Sequence, residues 1–277
     1  MTQADSLVNK HYGFGGIKEQ IKVGLNLAGK NIDALAVDDL APIDEFHTRG
    51  RASTLELAEI VNLKNNDLIL DVGCGLGGTA RYLAEQYNCH VSGIDLTEEY
   101  ISVGKWLTEL VGLSDQVELH QGSALDIPFK NEKFDVVWTE HVQMNISDNY
   151  RFYSEIARVL KPGGRLLFHD IFRGLGEPPF YPAPWAEDES ISKLATEEEA
   201  RATIEAAGLQ VNQWVVKVQE SIEFFKEVSV QIEADGPPPI GIHLLMGNNA
   251  REKLQNYVRN MSEDRLSVVM GMASKLS

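Results

Sequence analysis

The chain has 277 residues and a mass of 30.8 kDa, with 43% hydrophobic and 24% charged residues, which suits one large domain, or one domain with a modest lid. Its formal net charge is −16 and its pI is near 4.8, so it repels phosphate backbones and anionic membranes, and neither nucleic acid nor membrane is expected as a partner. No apolar run reaches the ~18–20 residues of a membrane span, the N-terminus lacks the basic-then-apolar order of a secretory signal, and Cys74 and Cys89 have no ligand-like spacing. A cytoplasmic protein with reduced thiols and no metal centre is the expectation.

Residues 1–53 are mixed in character, with glycine punctuation at Gly13–Gly16 and Gly24–Gly29, and read as an N-terminal cap segment. From Thr54, TLELAEIV carries apolar residues at helical spacing. DLILDV (67–72) is a short apolar run ended by glycines and predicts a buried strand. A helix over 78–87 and a strand HVSGID (90–95) follow; Thr97 with Glu98 and Glu99 supplies the cap and acidic first turn of a helix over 97–112. VELHQG (117–122) and FDVVWT (134–139) predict two more strands; a helix over 149–160 is stopped by Pro162, Gly163 and Gly164, and GRLLFHD (164–170) is a fifth strand.

Beyond Asp170 the alternation breaks. Residues 171–195 hold four prolines among Phe172, Phe180, Tyr181 and Trp185 and predict a long irregular loop, the kind that is usually functional. A capped helix from Thr196 to Gly208, a strand over 209–218, helices over 219–234 and 248–260 around GPPPIG, and a last strand over 266–273 complete the chain. Strands alternating with helices require parallel pairing with both faces covered, hence an α/β fold: a doubly wound, seven-stranded, mostly parallel sheet.

LDVGCGLGG places Gly73, Gly75 and Gly78 in a G-x-G-x-x-G spacing between a strand and a helix, where an adenosine-like ligand approaches the backbone. Charge separates the candidates. NAD sets a pyrophosphate over such a loop, and Asp71 directly before it is a poor neighbour for one. S-adenosylmethionine has no phosphate and carries an ammonium and a sulfonium, which a carboxylate favours. Asp95 closes the second strand, 24 positions after Asp71, about where an acidic residue accepts from both ribose hydroxyls.

The series DVGCGLGG, GIDL, FDVVW and LKPGG resembles the motifs of class I S-adenosylmethionine-dependent methyltransferases over about residues 54–218, and the last strand fits that fold's antiparallel closing strand. DEFHTRGRAST and HVQMN are similar to the branch of sarcosine/dimethylglycine and phosphoethanolamine N-methyltransferases. The resemblance implies a methyltransferase domain over 54–277, with lid insertions near 171–195 and 219–262, and S-adenosylmethionine as cofactor. It also implies cofactor contacts from Asp71, Gly73, Gly75, Gly77, Asp95, Leu96, Ser123, Ala124 and Glu140, with Phe46 and His47 in a segment that closes over the cofactor.

Methyl transfer is an in-line displacement at an activated carbon, so the protein need only align a nucleophile in a dry pocket and, where required, remove its proton. In an open α/β sheet the pocket lies beyond the carboxyl ends of the strands. That nominates His141 as base or orienting group, and Gln143, Met144, Asn145, Asp170, Tyr181 and Trp185 as acceptor contacts. His169 precedes Asp170 on a strand, so it should point to the other face and is set aside. Tyr12 matches, by resemblance, a tyrosine that covers the cofactor and aids transfer; His243 would line the pocket if the C-terminal insertion folds over it. Transfer to a small-molecule acceptor, for instance an amine, is the expected function, with self-association as a homodimer left open. O- or C-methylation of a natural product and a non-methylating cofactor-binding protein are the alternatives. An NAD-dependent dehydrogenase is disfavoured by Asp71 and by the closing strand.

Overall fold

Alternation along the central strands settles which side chains reach which layer. The structure, a computed structural model, describes residues 3–13 and 15–276. Strands β1 (Leu68–Val72), β2 (His90–Asp95), β3 (Val117–Gln121), β4 (Phe134–Glu140), β5 (Leu160–Arg173), β6 (Leu209–Val216) and β7 (Leu266–Lys275) form one sheet in the order β3-β2-β1-β4-β5-β7-β6. All neighbours pair in parallel except β7, which runs antiparallel to β5 and β6. The seven predicted strands are all present, in the doubly wound arrangement expected.

Leu70, Val72, Val137, Leu166 and Phe168 bury into one layer, Ile69, Val136, Trp138 and Leu167 into the other. The second layer is covered by α4 (Arg51–Val61) and α5 (Gly78–Tyr87), the first by α7 (Asn149–Val159) and α8 (Glu197–Ala206). Helix α6 (Glu98–Leu110) flanks β2 and β3. The N-terminal helices α1 (Gln3–Tyr12), α2 (Ile17–Leu27) and α3 (Val37–Asp44) add a further cluster in which Ile17, Ile21, Leu25, Leu40 and Ile43 pack with Tyr100, Val103 and Leu107 of α6. A fourth cluster joins Met144, Ile171 and Trp185 to Phe225 of α9 (Val218–Asp235) and Tyr257 of α10 (Ala250–Ser262).

Two boundaries differ from the sequence reading. Pro162, Gly163 and Gly164 do not separate α7 from β5: the register with β4 jumps from Phe134↔Leu160 to Val136↔Arg165, so the punctuation becomes an irregularity within one long strand. At its other end β5 runs past Asp170 to Arg173, because β7 supplies partners as far as Arg173↔Leu266. No helix among the described residues is long and apolar enough to cross a membrane.

Candidate active site

The carboxyl ends of β1, β2 and β4 border one cavity enclosing about 1460 Å³ of atom-free space, its open mouth included. Its floor is the glycine loop. Gly73, Gly75 and Gly77 all adopt positive φ (75°, 53° and 80°), the left-handed region that glycine tolerates. At Gly75 no atom lies within 4 Å of where a Cβ would stand, so the backbone there is bare to the cavity. Gly78 serves packing instead: a Cβ would run into Asp44, and its absence lets α5 meet α3, where Asp44 and Arg81 form a buried ion pair at 2.6 Å.

Asp95 closes β2 with its carboxylate accepting from the Gly75 N–H (3.0 Å) and the Thr97 N–H (2.8 Å), so it both braces the loop and faces the cavity. Burial raises its pKa, and those N–H groups pull it back. Asp71 lies deeper, 3% exposed, with Oδ2 unpartnered. Burial, then the nearby Glu140 carboxylate, raises its pKa well above the ordinary value, against the opposing pull of His47. An orphaned buried carboxyl oxygen beside a second carboxylate calls for a cation.

Strand alternation brings the rest of the floor together. Counting from Ile69, Val136 and Leu167, the next residues on the same face are Asp71, then Trp138 and Glu140, then His169, and the ladder pairs Glu140 with His169. Glu140 accepts from Thr79 Oγ1 (3.0 Å) and Trp138 Nε1 (2.8 Å). From the loop between α3 and α4, His47 approaches it to 3.5 Å while bonding Glu45 at 2.8 Å. Burial penalises the His47 imidazolium, but the two carboxylates outweigh that and hold its pKa up at about 9; burial likewise penalises Glu140, and His47, His169 and Trp138 bring it down to about 2. His169, set aside on sequence grounds, is fully buried 3.6 Å from Glu140, its ring centroid 5.0 Å from that of His141. It does face away from Asp170, but the face it takes is the one that carries the cluster. His47, Glu140 and His169 offer ligand atoms within 4.8 Å of one another, a juxtaposition invisible in their spacing along the chain; here His47 and Glu140 pair as charges, while burial lowers the pKa of His169.

His141 follows Glu140 at φ 53° and lines the cavity. Its Nε2 accepts the Thr48 N–H at 3.4 Å, and burial, with His169 and His47 adding, drives its pKa well below the ordinary 6.5. The ring is a neutral, buried base. Tyr12 reaches the same cavity from α1 and donates its hydroxyl to Asn145 Oδ1 at 3.0 Å.

Among the nominated residues, Asp71, Gly73, Gly75, Asp95, Leu96, Ser123, Ala124, Glu140, Phe46, His47, His141, Tyr12, Met144, Asn145 and Trp185 all border the cavity. Gly77 stands behind the loop as the cap of α5, against Leu119 and Arg81. Gln143 is buried, bonded through Nε2 to Asn149, and Asp170 spends its carboxylate on the N–H groups of Val142, Gln143 and Ile171. Tyr181 packs on Trp185 from outside, and His243 sits between the wall residues Ile242 and Leu245 without joining them. Glu45, Thr48, Phe225, Leu245 and Tyr257 were not nominated. Only Glu45 and Thr48 had a local cue, being next to the Phe46–His47 pair.

A methyltransferase domain family matches residues 70–168. Over 129 residues the chain is 36% identical to a glycine/sarcosine/dimethylglycine N-methyltransferase of Actinopolyspora halophila, covering 47% of this chain and 23% of that one. It is 36% identical over 131 residues to phosphoethanolamine N-methyltransferase 1 of Arabidopsis thaliana, covering 47% and 26%. The match thus spans about a quarter of these curated relatives. A geranyl diphosphate C-methyltransferase from Streptomyces coelicolor A3(2), solved with Mg2+, geranyl-S-thiolodiphosphate and S-adenosyl-L-homocysteine, superposes with a TM-score of 0.74 at 16% identity, covering 99% of each chain. Residues 70–168 thus match a methyltransferase domain, and the sheet that carries them has the fold of that C-methyltransferase.

Proposed function

We propose that the chain transfers the methyl group of S-adenosylmethionine to a small-molecule acceptor, with His141 taking the proton that the acceptor gives up. One observation carries the cofactor reading. The described cavity wall contains Asp71, Asp95 and Glu140 but no lysine or arginine, so it suits a cationic ligand without phosphate. In this reading Asp71 and Glu140 face the ammonium, and Asp95 accepts from the ribose hydroxyls with lone pairs left over by Gly75 and Thr97. Ser123 and Ala124 flank the adenine, while Gly73 and Gly75 leave room for close approach.

S-adenosylmethionine, when bound, supplies a methyl group already activated by its sulfonium. The chain's own residues hold the acceptor, keep water out and move one proton. His141 is unprotonated at neutral pH, and its Nε2 lone pair, met only by the Thr48 N–H at 3.4 Å, would take the acceptor's proton as the acceptor displaces the neutral thioether from the methyl group. Tyr12, anchored on Asn145, closes the N-terminal side. The charge of −16 favours a cytoplasmic protein acting on free small molecules over one bound to anionic membranes or nucleic acid.

The test is calorimetric titration with S-adenosylhomocysteine and NAD, followed by transfer from methyl-labelled cofactor into a metabolite extract. Binding of S-adenosylhomocysteine and appearance of a labelled, protein-free product are expected. Retention of NAD instead would overturn the cofactor assignment, and binding without labelled product would mean that the fold serves another chemistry.

A further inference from the structure

We infer that the acceptor is a neutral, predominantly apolar molecule carrying neither phosphate nor fixed charge; this rests on the methyltransferase reading and narrows it. The cavity has two unlike halves. Every carboxylate on its described wall comes from β1, β2, β4 or the end of α3, and both histidines of that wall, His47 and His141, stand at this end. The other half is built by the end of β5, by the segments after β4 and β5 and by the C-terminal insertion: Met144, Ile171, Trp185, Phe225, Leu245 and Tyr257, none more than 6% exposed.

The few polar groups in this half are already bonded to the protein. Asn145 donates through Nδ2 to the carbonyls of Trp185 and Ile191, both at 3.0 Å, and accepts from Tyr12. Trp185 donates its indole N–H to Ser192 at 3.0 Å. The Tyr257 hydroxyl is paired with Thr48 at 2.5 Å. Asp170, close by in sequence to this wall, is turned to backbone N–H groups. Lys253, next to the wall residue Leu254, is held by the Met246 carbonyl at 2.9 Å and by Glu187 at 2.5 Å.

A phosphate or diphosphate brought into this half would lose its hydration and find no free cation among the described residues; an ammonium would find no free carboxylate among them. Either desolvation is costly without a partner. A hydrocarbon body meets no such cost and gains by leaving water. The cavity runs without a break from the glycine loop to this apolar wall, so an acceptor lying here reaches the cofactor end. The acceptor's one polar atom then sits where the halves meet, at His141.

The experiment saturates the full chain with S-adenosylhomocysteine and titrates 4-hexylphenol, 4-hexylphenyl phosphate and 4-hexylbenzylamine, following heat and Trp185 fluorescence. The phenol should bind at least roughly tenfold more tightly than either charged analogue. Phe225→Ala should weaken it by roughly tenfold with S-adenosylhomocysteine affinity unchanged, and Leu254→Lys should shift preference toward the phosphate. Equal or tighter binding of a charged analogue, or no binding of the phenol, would overturn the inference. Loss of S-adenosylhomocysteine binding itself would instead sink the cofactor reading.

Discussion

The hydroxyl of Tyr12 donates to Oδ1 of Asn145 across 3.0 Å, tying the first helix to the turn after β4, 133 residues further along the chain. Asn145 in turn holds the carbonyls of Trp185 and Ile191, so one side chain links the N-terminal cap, the end of the sheet and the proline-rich loop. Tyr12→Phe removes only the link to α1, at a cost of about 0.5–1.5 kcal/mol. Limited proteolysis should then cut faster in the stretch around Gly13–Gly16, while cofactor affinity holds. An unchanged cleavage rate would show that the bond does not restrain α1.

Asp71 faces Glu140 with one oxygen unpartnered, and its pKa is raised well above the ordinary carboxylate value. An ammonium placed beside it favours the ionised form, so cofactor binding should release a proton and strengthen as pH rises through the elevated Asp71 pKa. Calorimetry in buffers of different ionisation enthalpy reads the proton directly. Asp71→Asn should weaken binding by roughly tenfold or more and abolish the buffer dependence. A wild-type titration indifferent to buffer would contradict the assignment.

His47 and Glu140 stabilise the fold in opposite pH directions. The folded His47 pKa, about 9, lies above its ordinary 6.5, so its contribution is complete below pH 6.5 and disappears as pH rises through 9. The Glu140 value, about 2 against 4.5, gives a contribution present above pH 4.5 and lost as pH falls through 2. His47→Gln leaves Glu140 buried without its cation, while Glu45 keeps Arg51, and should cost on the order of 3 kcal/mol near neutral pH. Denaturant unfolding of wild type and variant should show that gap closing between pH 7 and 10 (roughly the upper titration range of the group). A constant gap would mean that His47 is uncharged in the fold.

Two glycines of one loop should fail in different ways. Gly78→Ala drives a Cβ into Asp44 and should lower stability by about 1–3 kcal/mol. Gly75→Ala meets no protein atom but must hold φ 53° and fills bare floor, so cofactor affinity should fall more than stability does. Thermal unfolding beside calorimetry separates the two; the reverse pattern would displace the cofactor from this loop.

His141 is neutral because burial holds its pKa well below 6.5. His141→Gln should reduce turnover by about 10²–10⁴ with cofactor affinity intact. The acid limb of kcat/KM in the wild type should fall below pH 6.5 and vanish in the variant. Full activity in His141→Gln would leave the acceptor to lose its proton to solvent.

Much of the fold was legible along the chain because its signals are local. The apolar runs 67–72, 90–95 and 134–139, the glycine punctuation and the Thr196 cap each act over a few residues, and the strand–helix alternation leaves the sheet little topological choice; Thr97 holds the cap position of α6 without a side-chain cap bond. Asp71, Asp95, Glu140 and His141 could be named for the same reason: they stand at or just past strand ends, where such sheets open their clefts. What tertiary structure alone decided is which of those groups meet. His47 comes from an irregular segment, His169 from a strand whose facing depends on counting alternation against Glu140, and Phe225, Leu245 and Tyr257 from an insertion whose docking no local pattern encodes. Charge state and pocket polarity are set by burial and by partners distant in the chain; they come into being only when the layers close.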